Sequence, residues 1–375
     1  VIEVVDGLAG VDATAWDALI GQDNPFVTHA FLHTLEATGC VGDATGWLPR
    51  HLLLRAEDGT LRGAVPGYLK AHSMGEYIFD HAWADAAHRA GIAYYPKWVC
   101  AVPLTPATGP RLLVRPDDPE ARDVLARAVA AAPAHVGATS THALFVDEVD
   151  EAALVKAGLH ARRSLQYHWV RDPAWTSWDD HLAALTSKRR KEVRRERAAA
   201  HAHGLTLAVE PGTALSAEDV ARAYACYRET VDAHGAWAYL TERFFLALRG
   251  PLAPYVRMAT ARRDGVLVAM ALAFSSGRHL YGRVWGALEP LRGLHFELCY
   301  YQFLAHAFTA DLWRVEAGAQ GEHKIARGFQ PTLLRSAHRI EHPGLDRAVA
   351  DFLVREAERL HEVAEVLEAH LPYRD

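Results

Sequence analysis

Acidic, imidazole and basic residues crowd around glycines between Leu280 and Phe329, and this stretch holds the densest chemistry in the sequence. Gly321 is followed directly by Glu322, His323 and Lys324, with Arg327 close behind. A carboxylate or imidazole can take a proton from an attacking amine, which must be neutral to react. A Lys or Arg beside it can hold the oxyanion of a tetrahedral intermediate, or a donor phosphate. Glu322 and His323 sit in a loop, where packing asks less of a side chain, so chemistry is the favoured reading there. Glu316, ending the strand expected over 312–316, is a further catalytic candidate. Its competing role, shared with Glu297, is an ion pair with Arg314 or Arg283 that holds the fold.

The elements expected around these residues are a strand over 280–286, a loop over 287–294, a helix over 295–309 and the strand 312–316. That order aims a helix N-terminus, with its free N–H groups and positive dipole end, at an anion. Arg283 and Trp285 on the strand, Arg292 and Gly293 in the loop, and Arg327 beyond form the expected donor-binding set. Neither a Walker A motif nor GxGxxG is present, which argues against nucleotide hydrolysis and dinucleotide-dependent redox chemistry. Cys299 falls on the apolar stripe of the helix with Phe296 and Phe303 and reads as core. Direct attack by an amine needs no thiol nucleophile.

Two hairpins organise the rest. Strands over 51–56 and 61–70 flank Glu57-Asp58-Gly59-Thr60, and strands over 255–261 and 266–274 flank Arg262-Arg263-Asp264-Gly265. Two helices precede each hairpin and a strand follows, over 77–80 and 279–285, so the order reads as an internal duplication. Segments 52–80 and 258–285 are then expected to superpose as three-stranded units. The halves divide near Trp175, into 1–175 and 176–375. The second opens on a basic helix at 187–203 and includes an amphipathic helix over 345–369. After the first hairpin, Asp80, Tyr94, Tyr95 and Lys97 either pack together or form a wall that binds the acceptor. Residues 188–197 hold seven positive and two negative side chains. Such a run is a solvated helix face with internal pairs, or a surface for tRNA phosphates, a CoA phosphate or an anionic precursor through Arg190, Arg194 and Arg197.

A chain of 375 residues suffices for two cores. Its net charge of −6 confines any nucleic-acid contact to a local patch. Cys40, Cys100, Cys226 and Cys299 show no paired spacing, as expected of reduced thiols. None of the 22 His residues falls in a zinc pattern, so no metal is expected. No uncharged apolar stretch approaches the ~20 residues a membrane span needs. The opening residues lack a signal-peptide pattern, and a cytoplasmic location is expected.

Several longer strings resemble a known family. Gly-Arg-Val-Trp-Gly, His-Phe-Glu-Leu-Cys-Tyr-Tyr-Gln and Glu-Ala-Gly-Ala-Gln-Gly-Glu-His-Lys-Ile-Ala-Arg-Gly-Phe-Gln-Pro are similar to the FemAB-like predicted N-acyltransferases. Asn-Pro-Phe-Val-Thr-His-Ala-Phe-Leu, Tyr-Tyr-Pro-Lys-Trp and Ser-Lys-Arg-Arg-Lys-Glu-Val-Arg-Arg-Glu-Arg fit the same family upstream. The resemblance implies a mixed α/β fold of two tandem GNAT-like domains, each a sheet flanked by helices. It implies transfer of an acyl or aminoacyl group to an amine, with acyl-CoA or aminoacyl-tRNA as co-substrate and no tightly bound cofactor. The acceptor is expected between the domains, as a small molecule or a peptide. Fem ligases close on Phe-Lys-x-Gly-Phe; here Gly328 and Phe329 match, while Ala326 stands at the lysine. A rival expectation is a non-catalytic module that recognises a peptidoglycan-like peptide or sugar.

Overall fold

Capping residues written in the sequence set the first helices of this computed structural model, which describes residues 1–21, 24–318 and 321–374 without the Glu322 side chain. After strand β1 (Ile2–Val5), Asp12 caps α1 (Ala13–Asp17) and Thr28 caps α2 (His29–Ala37), each side chain accepting a backbone N–H. Strands β2 (Trp47–Pro49), β3 (His51–Arg55), β4 (Leu61–Val65) and β5 (Gly67–Lys70) follow. The expected strand 61–70 is broken at Pro66, which has no N–H to give a ladder. β4 stays paired with β3 in one sheet, while β5 joins another between β2 and β6 (Lys97–Cys100).

The segment 77–80 is not a strand. Tyr77 has φ +61°, and the chain runs through a loop into α3 (His81–Arg89) before it reaches β6. The prediction that 52–80 forms a three-stranded unit is therefore corrected. The true repeat lies one step later. From β6 the chain passes through β7 (Leu113–Val114) and α4 (Pro119–Val136) to β8 (Ser140–Val146), which lies parallel to β6. Next come α5 (Glu148–Lys156) and β9 (His160–Val170).

The second half holds α6 (Trp178–Ala184), α7 (Ser187–His201), β10 (Thr206–Pro211), α8 (Ala217–Ala233) and α9 (Glu242–Ala247). Strands β11 (Val256–Arg263), β12 (Val266–Ser276) and β13 (His279–Ala287) then form an antiparallel meander with β10 at its edge. Asp264 and Gly265 both take positive φ, +50° and +83°, as a two-residue hairpin turn of the primed type requires. α10 (Leu294–Phe296), a π turn (Glu297–Tyr301) and α11 (Gln302–Thr309) carry the chain to β14 (Arg314–Glu316). β14 is parallel to β13, as β8 is to β6, so both halves carry the same strand–helix–strand crossover. A 3₁₀ helix (Glu322–Arg327), β15 (Gln330–Ile340) and α12 (Pro343–Glu368) follow.

In each unit a strand pairs with one delivered from the opposite half of the sequence. Residues 168–170 of β9 pair with β14, and residues 335–340 of β15 pair with β8. The two compact units are accordingly 1–165 with 333–363, and 166–332 with 364–375. α12 belongs largely to the first unit for a physical reason. Arg162 forks onto Glu356 at 2.8 and 3.0 Å, His160 meets Asp346 at 2.8 Å, and Leu345, Val349 and Leu353 pack with Trp83 and Tyr94. No helix among the described residues is long and apolar enough to cross a membrane.

Candidate functional site

The second unit contains a wedge. β13 pairs with β14 only over His279–Tyr281, and from Gly282 onward that edge of β13 carries no ladder to β14, while its other edge stays on β12 as far as Ala287. A cavity of about 120 Å³ fills the opening, lined by Arg283, Trp285, His295, Cys299, Tyr300 and Ala317 among others. The two glycines of Gly-Arg-Val-Trp-Gly explain themselves here. A Cβ on Gly282 would stand 3.2 Å from the Glu316 carbonyl oxygen, and one on Gly286 only 2.2 Å from that of Cys226 on α8.

The helix expected over 295–309 is interrupted. A π turn adds a residue to its coil, and both Tyr300 and Tyr301 are buried as a result. Tyr300 lines the wedge, whereas Tyr301 lines a separate cavity. Gly293 begins this segment at φ +82°, seated against the backbone of α7 with an ideal Cβ 3.2 Å from the Glu196 carbonyl oxygen. Arg292 beside it is exposed, and its carbonyl meets His203 Nε2 at 3.0 Å. Glu297 is buried and does form an ion pair. Arg197 binds it at 3.0 Å, with His201 at 3.3 Å and Gln302 at 2.8 Å.

The expected catalytic residues separate by environment. Glu316 is 4 % exposed, and burial pushes its carboxyl up to about 8, with Arg314 opposing. Most of it therefore carries its proton at neutral pH. Its Oε2 stands 3.8 Å from His168 Nε2 in the neighbouring strand. Lys324 is 2 % exposed; its ammonium donates to the Gly318 carbonyl at 2.8 Å, and burial draws it down to about 8. His323 is exposed, with Nε2 2.9 Å from the Tyr300 hydroxyl. Partial burial, then Arg327 and Lys324, hold its pKa below the usual imidazole value, leaving a neutral ring at pH 7. The Glu322 side chain lies outside the described residues.

Arg327 is not a free cation. It donates to Glu196 at 2.7 Å and to the His323 carbonyl at 2.8 Å, and it stacks 3.6 Å over Phe296. The Cys299 thiol is pushed up by burial and suits the core reading. Gly328, at φ +89°, accepts a hydrogen bond from Tyr373 at 2.7 Å, and Phe329 packs edge-on to Tyr300. Sequence reasoning missed Tyr300, Tyr301, His295 and Glu196. The tyrosine pair stood in plain view in His-Phe-Glu-Leu-Cys-Tyr-Tyr-Gln, but a uniform helical period hid their inward aim.

In the first unit Asp80, Tyr94, Tyr95 and Lys97 do come together, though turned on one another. The Lys97 ammonium donates to Asp80, and to Glu76 and Ser73 at 2.8 Å each. Tyr94 donates to Asp80 at 2.6 Å, and the Tyr95 and Ser73 hydroxyls are 2.8 Å apart. Lys97, Asp80 and Tyr94 are buried, so this cluster builds the interior of the unit and does not form an acceptor-binding wall. The basic helix is likewise partly spent. Arg190 caps the carbonyls of Leu182, Ala183 and Leu185, and Arg197 serves Glu297. Of the three arginines expected to meet a polyanion, only Arg194 is exposed, alongside Lys188 and Lys191. The described residues contain no His/Cys/Asp/Glu group able to hold a metal ion.

A family model described as FemAB-like, peptidoglycan biosynthesis and recognition, matches residues 7–375. The chain belongs to the FemAB-like family. No curated protein matches its sequence. Among solved structures, it is similar to the C-terminal domain of a putative lysylphosphatidylglycerol synthetase from Agrobacterium fabrum. That pair shares 12 % identity at a TM-score of 0.56, covering 92 % of this chain and 94 % of the other. FemX gives 11 % and 0.55 over 93 % and 100 %. L-PGS from Bacillus licheniformis gives 12 % and 0.50 over 85 % and 95 %. At such identities the likeness is one of fold. This FemAB-like chain shares the mixed α/β fold of those structures.

Proposed function

We propose that this FemAB-like protein transfers an acyl or aminoacyl group from an activated ester or thioester to an amine. The observation that carries the reading is the wedge between β13 and β14, with the neutral, exposed His323 held by Tyr300 at its wall. The acceptor nitrogen attacks the donor carbonyl carbon; a C–N bond forms, and the C–O bond of an aminoacyl ester or the C–S bond of a thioester breaks. His323 takes the proton lost by nitrogen. Lys324, largely an ammonium below pH 8, offers a positive charge for the oxyanion and a proton for the leaving group. The β13 residues that line the wedge can contact the donor. The family description favours a peptidoglycan-type peptide as the acceptor.

Two donors are open, acyl-CoA and aminoacyl-tRNA. Mass measurement of ligand released on denaturing the purified protein, followed by single-turnover transfer with each donor, identifies which is used. The rate should rise as His323 loses its proton below pH 6.5 and fall as Lys324 loses its own near pH 8. His323→Ala should cost roughly 100-fold and abolish the rising limb. Glu322→Gln, run beside it, tests the neighbouring carboxylate. Wild-type rates from His323→Ala, Glu322→Gln and Lys324→Ala alike would overturn the assignment. Donor binding without any transfer would leave a recognition module.

A further inference from the structure

Beyond the wedge, a second cavity of about 220 Å³ lies against α7, lined by Arg189, Glu192, Glu196, Tyr301 and Arg327 among others. Its charges come in two pairs. Arg189 meets Glu192 at 2.6 Å, and Arg327 meets Glu196 at 2.7 Å, with the Tyr301 hydroxyl also donating to Glu196. Arg327 is 7 % exposed, yet its Nε–H is buried and finds no partner among the described residues.

The sign pattern selects the ligand. A phosphate or simple carboxylate entering here meets Glu192 and Glu196, and a simple amine meets Arg189 and Arg327. Like charges brought together in a partly desolvated site are disfavoured. A molecule bearing both charges at short range satisfies both pairs. Its carboxylate accepts from Arg189, and its ammonium donates to Glu192 and Glu196. The volume falls below the ~300 Å³ at which drug-sized sites begin, so the group is small. We infer that this cavity binds the zwitterionic headgroup of an α-amino acid.

Arg327 also donates to the His323 carbonyl, so the headgroup would be held by the same turn that carries the proposed proton acceptor. On the transfer reading, which this extension rests on, the cavity anchors an acceptor whose second amine is left free to react. Such an acceptor is a diamino acid whose α-ammonium and α-carboxylate are both free.

The test is calorimetric titration of the full chain without donor, using lysine, cadaverine and Nα-acetyl-lysine. Cadaverine lacks the carboxylate, and Nα-acetyl-lysine lacks the α-ammonium. Lysine should saturate the site, and both analogues should bind at least about tenfold more weakly. Arg189→Gln and Glu192→Gln, both at partly exposed positions, should each weaken lysine by roughly fivefold without moving the melting temperature. Equal binding of the three compounds, or no saturation by lysine at millimolar concentration, overturns the inference. Because no donor is present, failure of the transfer reading cannot produce either result. Transfer to cadaverine as fast as to lysine would overturn the anchoring role alone.

Discussion

Burial sets the charge states around the wedge, and its effect has opposite signs for the two buried groups. Glu316 is raised to about 8 from an ordinary value near 4.5, so the folded chain binds a proton that the unfolded chain gives up between those values. Stability from this group is full below pH 4.5 and declines as pH rises through 8. Lys324 is lowered to about 8 from 10.5, so its contribution to stability rises with pH between those values. Denaturation of wild type and Glu316→Gln at pH 5 and pH 8.5 separates the two groups. The variant should lose the decline, a difference on the order of 4 kcal/mol. An unchanged slope would place the Glu316 carboxyl in contact with water. The basic character of this region was legible from Lys324 and Arg327 in the sequence. Residue order alone could not show that Glu196 answers one of them and that a carbonyl holds the other.

At the scale of elements, α7 is a tie as well as a charged surface. Arg197→Ala strands the buried carboxylate of Glu297 and should cost about 3–5 kcal/mol in chemical denaturation. Changing Lys188, Lys191 and Arg194 together to Ala should leave stability within about 1 kcal/mol. With a tRNA donor, that triple variant should also bind more weakly and with a shallower salt dependence; with acyl-CoA the affinity should hardly move. Helices and hairpins here were legible because caps, alternation and turn residues act locally, as at Thr28, Asp118 and Asp264. What escaped was set by distant partners. Pro66 sends β5 to a different sheet from β4, the segment after β5 has no strand to pair with before α3, and the π turn breaks a period that looks continuous in sequence. The Asp80–Lys97 cluster was legible as a cluster. Its inward aim was not, since spacing says nothing about which side faces water.

At the scale of the molecule, the exchange of strands makes each unit incomplete without sequence from the other half. β8 is buried along its whole length, and β15 supplies its antiparallel neighbour. Fragments cut at the naive midpoint, 1–175 and 176–375, should each be poorly soluble and lack a cooperative melt, because each exposes an unpaired hydrophobic strand edge. Co-expressed, they should recover one soluble complex with a cooperative transition. Two independently soluble, cooperatively melting fragments would show that the exchanged strands are dispensable.

The same exchange fixes an order of events during synthesis. The first 165 residues leave the ribosome early, but the strand that pairs with β8 and the helix that covers Trp83 and Tyr94 lie at 333–363. At ~5–20 residues per second, the nascent first unit must wait roughly 10–40 s for its last pieces. The second unit needs only residues 364–375 after its main segment emerges, so it nears completion while its elder sibling still stands open. Of the two units, the one made earlier is thus the one that spends longer exposed to chaperones.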